Sequence, residues 1–179
     1  MIKFLQHSST QYPPRTYENA SADATIAFAF NFHTPGETLT KDSVKTQGKL
    51  YIPIRPTFST RDIELAASFL KEVNAKTLNI AGNGAYTNIK YQCTQAQCDQ
   101  IVFTFLSAVL NLYEPDYGIS LIRSGGQSGF DEAGLKAAVR LGIPALCLCP
   151  RGWKFADVNG KTFCDEQQFK NRFAGVLSL

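Results

Sequence analysis

One unit recurs along this chain and restricts its fold more than any other feature. A short apolar run leads into a loop bearing glycine or proline, and a segment with helical periodicity follows. Apolar runs of this kind occupy residues 24–32, 50–54, 77–81, 119–122 and 145–149. The first leaves through His33-Thr34-Pro35-Gly36, and the third runs straight into Gly82-Asn83-Gly84. Short continuous apolar runs bounded by turn residues read as strands buried on both faces. The intervening segments carry helix signals. Ser59 with Asp62 resembles a capping box before Ile63, Ala66, Ala67, Leu70 and Val73, and Thr94 with Gln97 caps a long helix to about Leu112. Gly142 and Pro144 stop a helix spanning about 131–141. Thr40, Asp42 and Ser43 supply cap chemistry for a short helix in 38–46, with Gly48 as its stop, and Asp165 with Gln168 caps a last one through Phe169 and Phe173. Strands alternating with helices predict an α/β domain, with a mostly parallel sheet of about five strands covered by helices on both faces.

At 179 residues, with no repeat, low-complexity tract or linker, the chain reads as one Rossmann-like domain. Residues 1–14, polar and containing Pro13 and Pro14, read as a surface extension. A composition 44% hydrophobic and 18% charged excludes a disordered chain. A net charge of +3 without a lysine or arginine stripe disfavours nucleic acid as a partner. No apolar window is long enough to span a bilayer, and MIKFLQHSST has no signal-peptide core, so the expected location is the cytoplasm without membrane attachment. Cysteines at 93, 98, 147, 149 and 164 form no C-x-x-C pair, and His7 and His33 are the only histidines. We expect reduced thiols, no metal site and no cofactor. The helix ending near Leu112 is apolar almost all round, through Ile101, Val102, Phe103, Phe105, Leu106, Val109 and Leu110. Such a helix is buried on both sides, within the sheet sandwich or in a homodimer interface.

Chemistry concentrates in residues 122–134, IRSGGQSGFDEAG, where a strand ends in a glycine-rich turn that reopens as a helix. Gly125, Gly126 and Gly129 let a backbone approach a ligand, and free N–H groups at a helix start suit an anion. The turn lacks the lysine of a Walker loop and is not G-x-G-x-x-G. Ser124, Gln127, Ser128 and Asp131 add more hydrogen-bonding groups than a structural turn needs. Gly36 with Thr38, and Gly82-Asn83-Gly84, lie in loops after two other strands, on the rim where open α/β sheets bind ligands. Arg151 and Trp153 offer a guanidinium for phosphate and an indole for stacking, and Arg123 is a second phosphate partner.

The run SGGQSGFDEAGLKAAVRLGIPALCLCPRGW resembles the opening of the molybdenum-cofactor-carrier-like proteins of the SLOG (Lonely-Guy and DNA-processing-protein-like) Rossmannoid superfamily. Arg15-Thr16-Tyr17-Glu18-Asn19, the T-P-G-E-T-L-T loop and LNIAG resemble later elements of that family, yet here they come first. The likeness covers roughly residues 15–155 and implies a circularly permuted member. Two departures stand out. Glu37 occupies a position where the family has a small residue. Ser124 replaces the proline of the phosphoribohydrolase motif, whose glutamate falls at Glu132.

The resemblance implies two functions. One is binding of a nucleotide or NAD-derived ligand, such as an ADP-ribose-type or cyclic nucleotide signal, by a sensor or sequestering protein of bacterial and phage conflict. Residues 124–129 would hold phosphate and Asp131 would fix the turn or take a ribose hydroxyl. The other is N-glycosidic hydrolysis, with Asp131 and Glu132 as catalytic carboxylates and Glu37 as a third. Acidic residues in a first helical turn also favour the helix dipole, without any catalytic role. Single-stranded DNA binding, as in the DNA-processing branch, lacks the basic surface it needs. Sequence alone leaves binder and hydrolase open.

Overall fold

In the computed structural model, which describes residues 1–113 and 118–177, six parallel strands form the central sheet. They are β1 (Ile2–Gln6), β2 (Ala24–Phe28), β3 (Leu50–Ile54), β4 (Thr77–Gly82), β5 (Leu121–Ser124) and β6 (Ala145–Cys149), in the order β1-β6-β5-β4-β2-β3. Every residue of β2 is buried, as a strand covered on both faces must be. The helices are α1 (Tyr12–Asn19), α2 (Pro35–Thr46), α3 (Thr60–Glu72), α4 (Ala85–Asn88), α5 (Gln95–Leu112), α6 (Phe130–Arg140), α7 (Glu166–Asn171) and α8 (Ala174–Leu177). Both expected capping boxes are present, at Ser59 with Asp62 and at Thr94 with Gln97.

Strand order dictates which face each helix covers. Passing from β1 to β2 to β3, the chain moves one way across the sheet; from β3 through β4 and β5 to β6 it moves back. Right-handed crossovers therefore put α1 and α2 on one face and α3, α5 and α6 on the other. The packing agrees: α1 contacts α2, whereas α5 contacts both α3 and α6. The reversal leaves a crevice where the β2 and β4 exits diverge, the usual ligand position in such sheets. α5 buries Cys98, Val102, Phe105, Leu106 and Val109, and the Arg140 guanidinium lies 3.5 Å over the half-buried Phe103 ring.

Four expectations need correction. The sheet has six strands, because residues 2–6 of the supposed surface extension pair in parallel with β6, Ile2 opposite Ala145 through Gln6 opposite Cys149. Only Ile2 of that edge strand is buried, so it lacks the continuous apolar signature of an inner strand. Residues 12–19 form a helix, with proline in the first turn where its missing N–H costs nothing. The helix expected in 38–46 starts earlier, at Pro35, with the Thr34 hydroxyl accepting from the Glu37 N–H. Beyond β6 an antiparallel hairpin of β7 (Lys154–Ala156) and β8 (Thr162–Cys164) folds back over the sheet's carboxyl end.

Candidate functional site

At the switch point lies a cavity of about 220 Å³. The exits of β4 and β5 contribute Gly82, Gly84, Gly125, Gln127 and Ser128 to its wall, and α6 contributes Asp131. From α2 come Gly36 and Glu37, from α1 Tyr12 and Arg15, and from the hairpin Ala156 and Asp157; Tyr86 of α4 stands at the same wall.

Arg15 is the least expected member. Its side chain is 6% exposed, and Nη1 lies 4.0 Å from Oδ2 of Asp131. Neither Nε nor Nη1 meets a hydrogen-bond partner among the described residues. Burying a guanidinium without satisfying it is costly, which makes Arg15 the group at the cavity wall with the most unmet hydrogen-bonding capacity among the described residues. Gly125 is what admits it: a Cβ there would lie 1.7 Å from Arg15 Nη1.

Two carboxylates face the same space. Asp131 accepts the backbone N–H groups of Gln127 and Gly82, but burial outweighs these and the Arg15 charge, pushing its pKa up to about 6. Glu37 is 3% exposed; Oε1 accepts from Asn83 Nδ2 at 3.4 Å, and Oε2 has no partner among the described residues. Burial, reinforced by the Asp131 charge, pushes Glu37 up to about 8, so at neutral pH it is mostly a protonated acid able to donate. Asn83 is itself fixed, its Oδ1 accepting from the N–H groups of Phe30 and Asn31 at 3.0 Å and its Nδ2 donating to the Asn31 carbonyl. It ties the β4 exit to the β2 exit and steadies Glu37.

Of the sequence-predicted residues, Gly36, Gly82, Gly84, Gly125, Gln127, Ser128 and Asp131 line the cavity. The rest do other work. Arg123 donates to Asn19 and Ser21 and pairs with Glu18. Gly126 packs into the core, where a Cβ would lie 2.4 Å from Cys147 Sγ and 2.8 Å from the Phe169 ring. Gly129 lets the turn cross Gly84 in a single antiparallel bridge. Ser124 is fully buried. Thr38 is exposed on the outer side of α2. Arg151 is exposed away from the cavity, and Trp153 packs on Phe4 and Phe169. Glu132 sits in an ion-pair cluster, 2.7 Å from both Lys136 and Arg172, behind the turn.

The glycine-rich turn is not the open anion cradle that sequence suggests. The N–H of Gly129 donates to Gln95 Oε1 at 2.7 Å, that of Phe130 to the Asn83 carbonyl, and that of Glu132 to the Gln127 carbonyl. Gln127 Nε2 and the Ser128 hydroxyl donate to the Lys154 and Ala156 carbonyls, holding the hairpin in place. Sequence reasoning placed Arg15 in the family resemblance but gave it no role, because nothing local shows that it is buried. It missed Tyr12 because it sat in the presumed extension, and Tyr86 because no pattern marks it. Among the described residues no group of three His, Cys, Asp or Glu is gathered as a metal ion would need.

Fold and cavity together define an α/β protein of Rossmann-like architecture, with a cavity of about 220 Å³ at the switch point of a six-stranded parallel sheet. No protein-family model matches the chain, and no curated protein matches it.

Proposed function

We propose that the cavity binds a nucleotide-class ligand carrying a ribose phosphate. The observation that carries this reading is Arg15: a buried guanidinium with two nitrogens unpartnered among the described residues, beside Asp131 and the unpartnered Oε2 of Glu37, in one cavity at the switch point. Guanidinium suits phosphate, and carboxyl groups suit sugar hydroxyls. At about 220 Å³ the cavity falls below the roughly 300–1,000 Å³ of whole drug-sized sites, so it encloses one ribose phosphate or one base and leaves the remainder outside. The likeness to SLOG proteins supports a sensing or sequestering role, with a homodimer as its proposed form.

Titration calorimetry and thermal shift against NAD, ADP-ribose, cyclic ADP-ribose isomers, cyclic dinucleotides and nucleoside monophosphates test the reading. At least one should bind, and Arg15→Gln should weaken it by roughly 10–100-fold, the worth of a charge-assisted hydrogen bond. Unchanged affinity in a folded Arg15→Gln protein would sink it.

A second reading, N-glycosidic hydrolysis, is favoured by the separation of the two carboxyl groups into an acid, Glu37, and a base, Asp131. In it Asp131, not Glu132, pairs with Glu37. Small molecules recovered after incubation would be cleaved by the wild type and intact with Glu37→Gln.

A further inference from the structure

The cavity is electrically graded. Its inner wall carries Glu37 and Asp131, both poorly exposed to solvent. Tyr12 and Tyr86, 37% and 50% exposed, stand where the wall meets solvent, and both also line the cavity. Each carries a protein cation over its ring: Lys90 Nζ lies 4.1 Å from the Tyr86 centroid, and Lys154 Nζ lies 5.8 Å from that of Tyr12. Arg15, 5.3 Å from the same Tyr12 centroid and 4.0 Å from Asp131, spans the two zones. A phosphate placed innermost would meet two carboxyl groups and a turn in which the Gln127 and Gly129 N–H groups, and those of Phe130 and Glu132 at the start of α6, are already engaged. A sugar placed innermost would offer hydroxyl donors to Asp131 and to the unpartnered Glu37 Oε2, and would leave its phosphate toward the rim. There Arg15, Lys90 and Lys154 outnumber the one carboxylate of Asp157, whose Oδ1 already accepts the Asn159 and Lys161 N–H groups.

We infer that the ligand enters sugar first, with a vicinal pair of ribose hydroxyls on Glu37 and Asp131 and its phosphate outward, between Arg15 and the lysine-capped Tyr12 and Tyr86. This rests on the nucleotide reading above and adds to it an orientation and a selectivity for ribose over deoxyribose. It also reverses the sequence-based expectation, which put the phosphate on residues 124–129.

The test is calorimetry on the full chain with ribose 5-phosphate, 2-deoxyribose 5-phosphate, adenosine, adenosine 5′-monophosphate and its 2′-deoxy and 3′-deoxy forms. Deoxy forms should bind at least about tenfold more weakly than their ribo parents, since a site built to bond a hydroxyl rejects analogues lacking it. Glu37→Gln and Asp131→Asn should shrink that ratio. The double variant Lys90→Ala, Lys154→Ala should weaken the monophosphate several-fold and leave adenosine unchanged. Equal ribo and deoxy affinities, or a double variant that weakens adenosine and its monophosphate alike, would overturn the orientation while the nucleotide reading stands. No binding by any of these probes or by the wider panel would overturn both.

Discussion

At the scale of single residues, the clearest lesson comes from Asp131 and Glu132. Adjacent and both acidic, they are told apart in sequence only by the motif that places an aspartate at 131, yet successive helical residues point about 100° apart. Asp131 turns into the cavity, while Glu132 turns into a cluster with Lys136 and Arg172, and Lys136 also holds Asp99 at 2.8 Å. Arg172 Nη2 donates in turn to the Gly126 carbonyl at 2.7 Å, so the cluster fastens the C-terminal segment to the glycine-rich turn. Glu132→Ala should leave the largely buried Arg172 without its carboxylate partner and Lys136 with Asp99 alone, and cost up to about 3–5 kcal/mol of stability in chemical denaturation. Ligand affinity of the folded remainder should hold, whereas a catalytic Glu132 would show intact stability and lost turnover. Asp131 was legible because it closes a recognisable turn. Arg15 was not: its burial depends on α1 docking beside Gly125, a contact between residues 110 apart that no local pattern announces.

At the scale of elements, inner strands and helix caps were readable, because continuous apolar runs and paired cap residues leave local signatures. Edge strand β1 and the β7–β8 hairpin were not, since their pairing is one-sided or short and their sequences are mixed. The seating of α6 on β4 was hidden for a related reason. Gly134 lies in mid-helix, where glycine costs up to about 1 kcal/mol relative to alanine. A Cβ there would come within 2.5 Å of Ile80 Cβ and Cγ2. Two opposing effects follow for Gly134→Ala: a gain in helix propensity and a collision with a fully buried strand residue. Overpacking a rigid core typically costs about 1–3 kcal/mol, so the collision wins. The variant should unfold at lower denaturant, and because α6 carries Asp131, its ligand affinity should fall as well. A more stable Gly134→Ala protein would mean that α6 sits farther from β4 than described.

For the molecule as a whole, reversal of the strand order brings together side chains from α1, α2 and α6 that the chain holds far apart, and it buries their charges. That burial ties stability to pH. Glu37 rises from an unfolded value near 4.5 to about 8, through burial first and the Asp131 charge second, with Asn83 opposing. Asp131 rises from 3.8 to about 6, through burial, against Arg15, Arg172 and the N–H groups of Gln127 and Gly82. In both cases the folded protein holds a proton that the unfolded chain has released. Stability therefore falls as pH rises through the interval between the two values, by at most about 1.4 kcal/mol per pH unit for each group. Asp131 acts between pH 4 and 6 and Glu37 between pH 4.5 and 8. Above pH 8 both costs are complete and the dependence from these groups levels off. Denaturation at intervals from pH 5 to 8.5 should show this decline, and Glu37→Gln, neutral throughout, should remove most of it above pH 6. A Glu37→Gln protein with the wild-type slope above pH 6 would mean that Glu37 is already ionised there, which would deprive the hydrolytic reading of its acid while leaving Arg15 and the binding reading untouched.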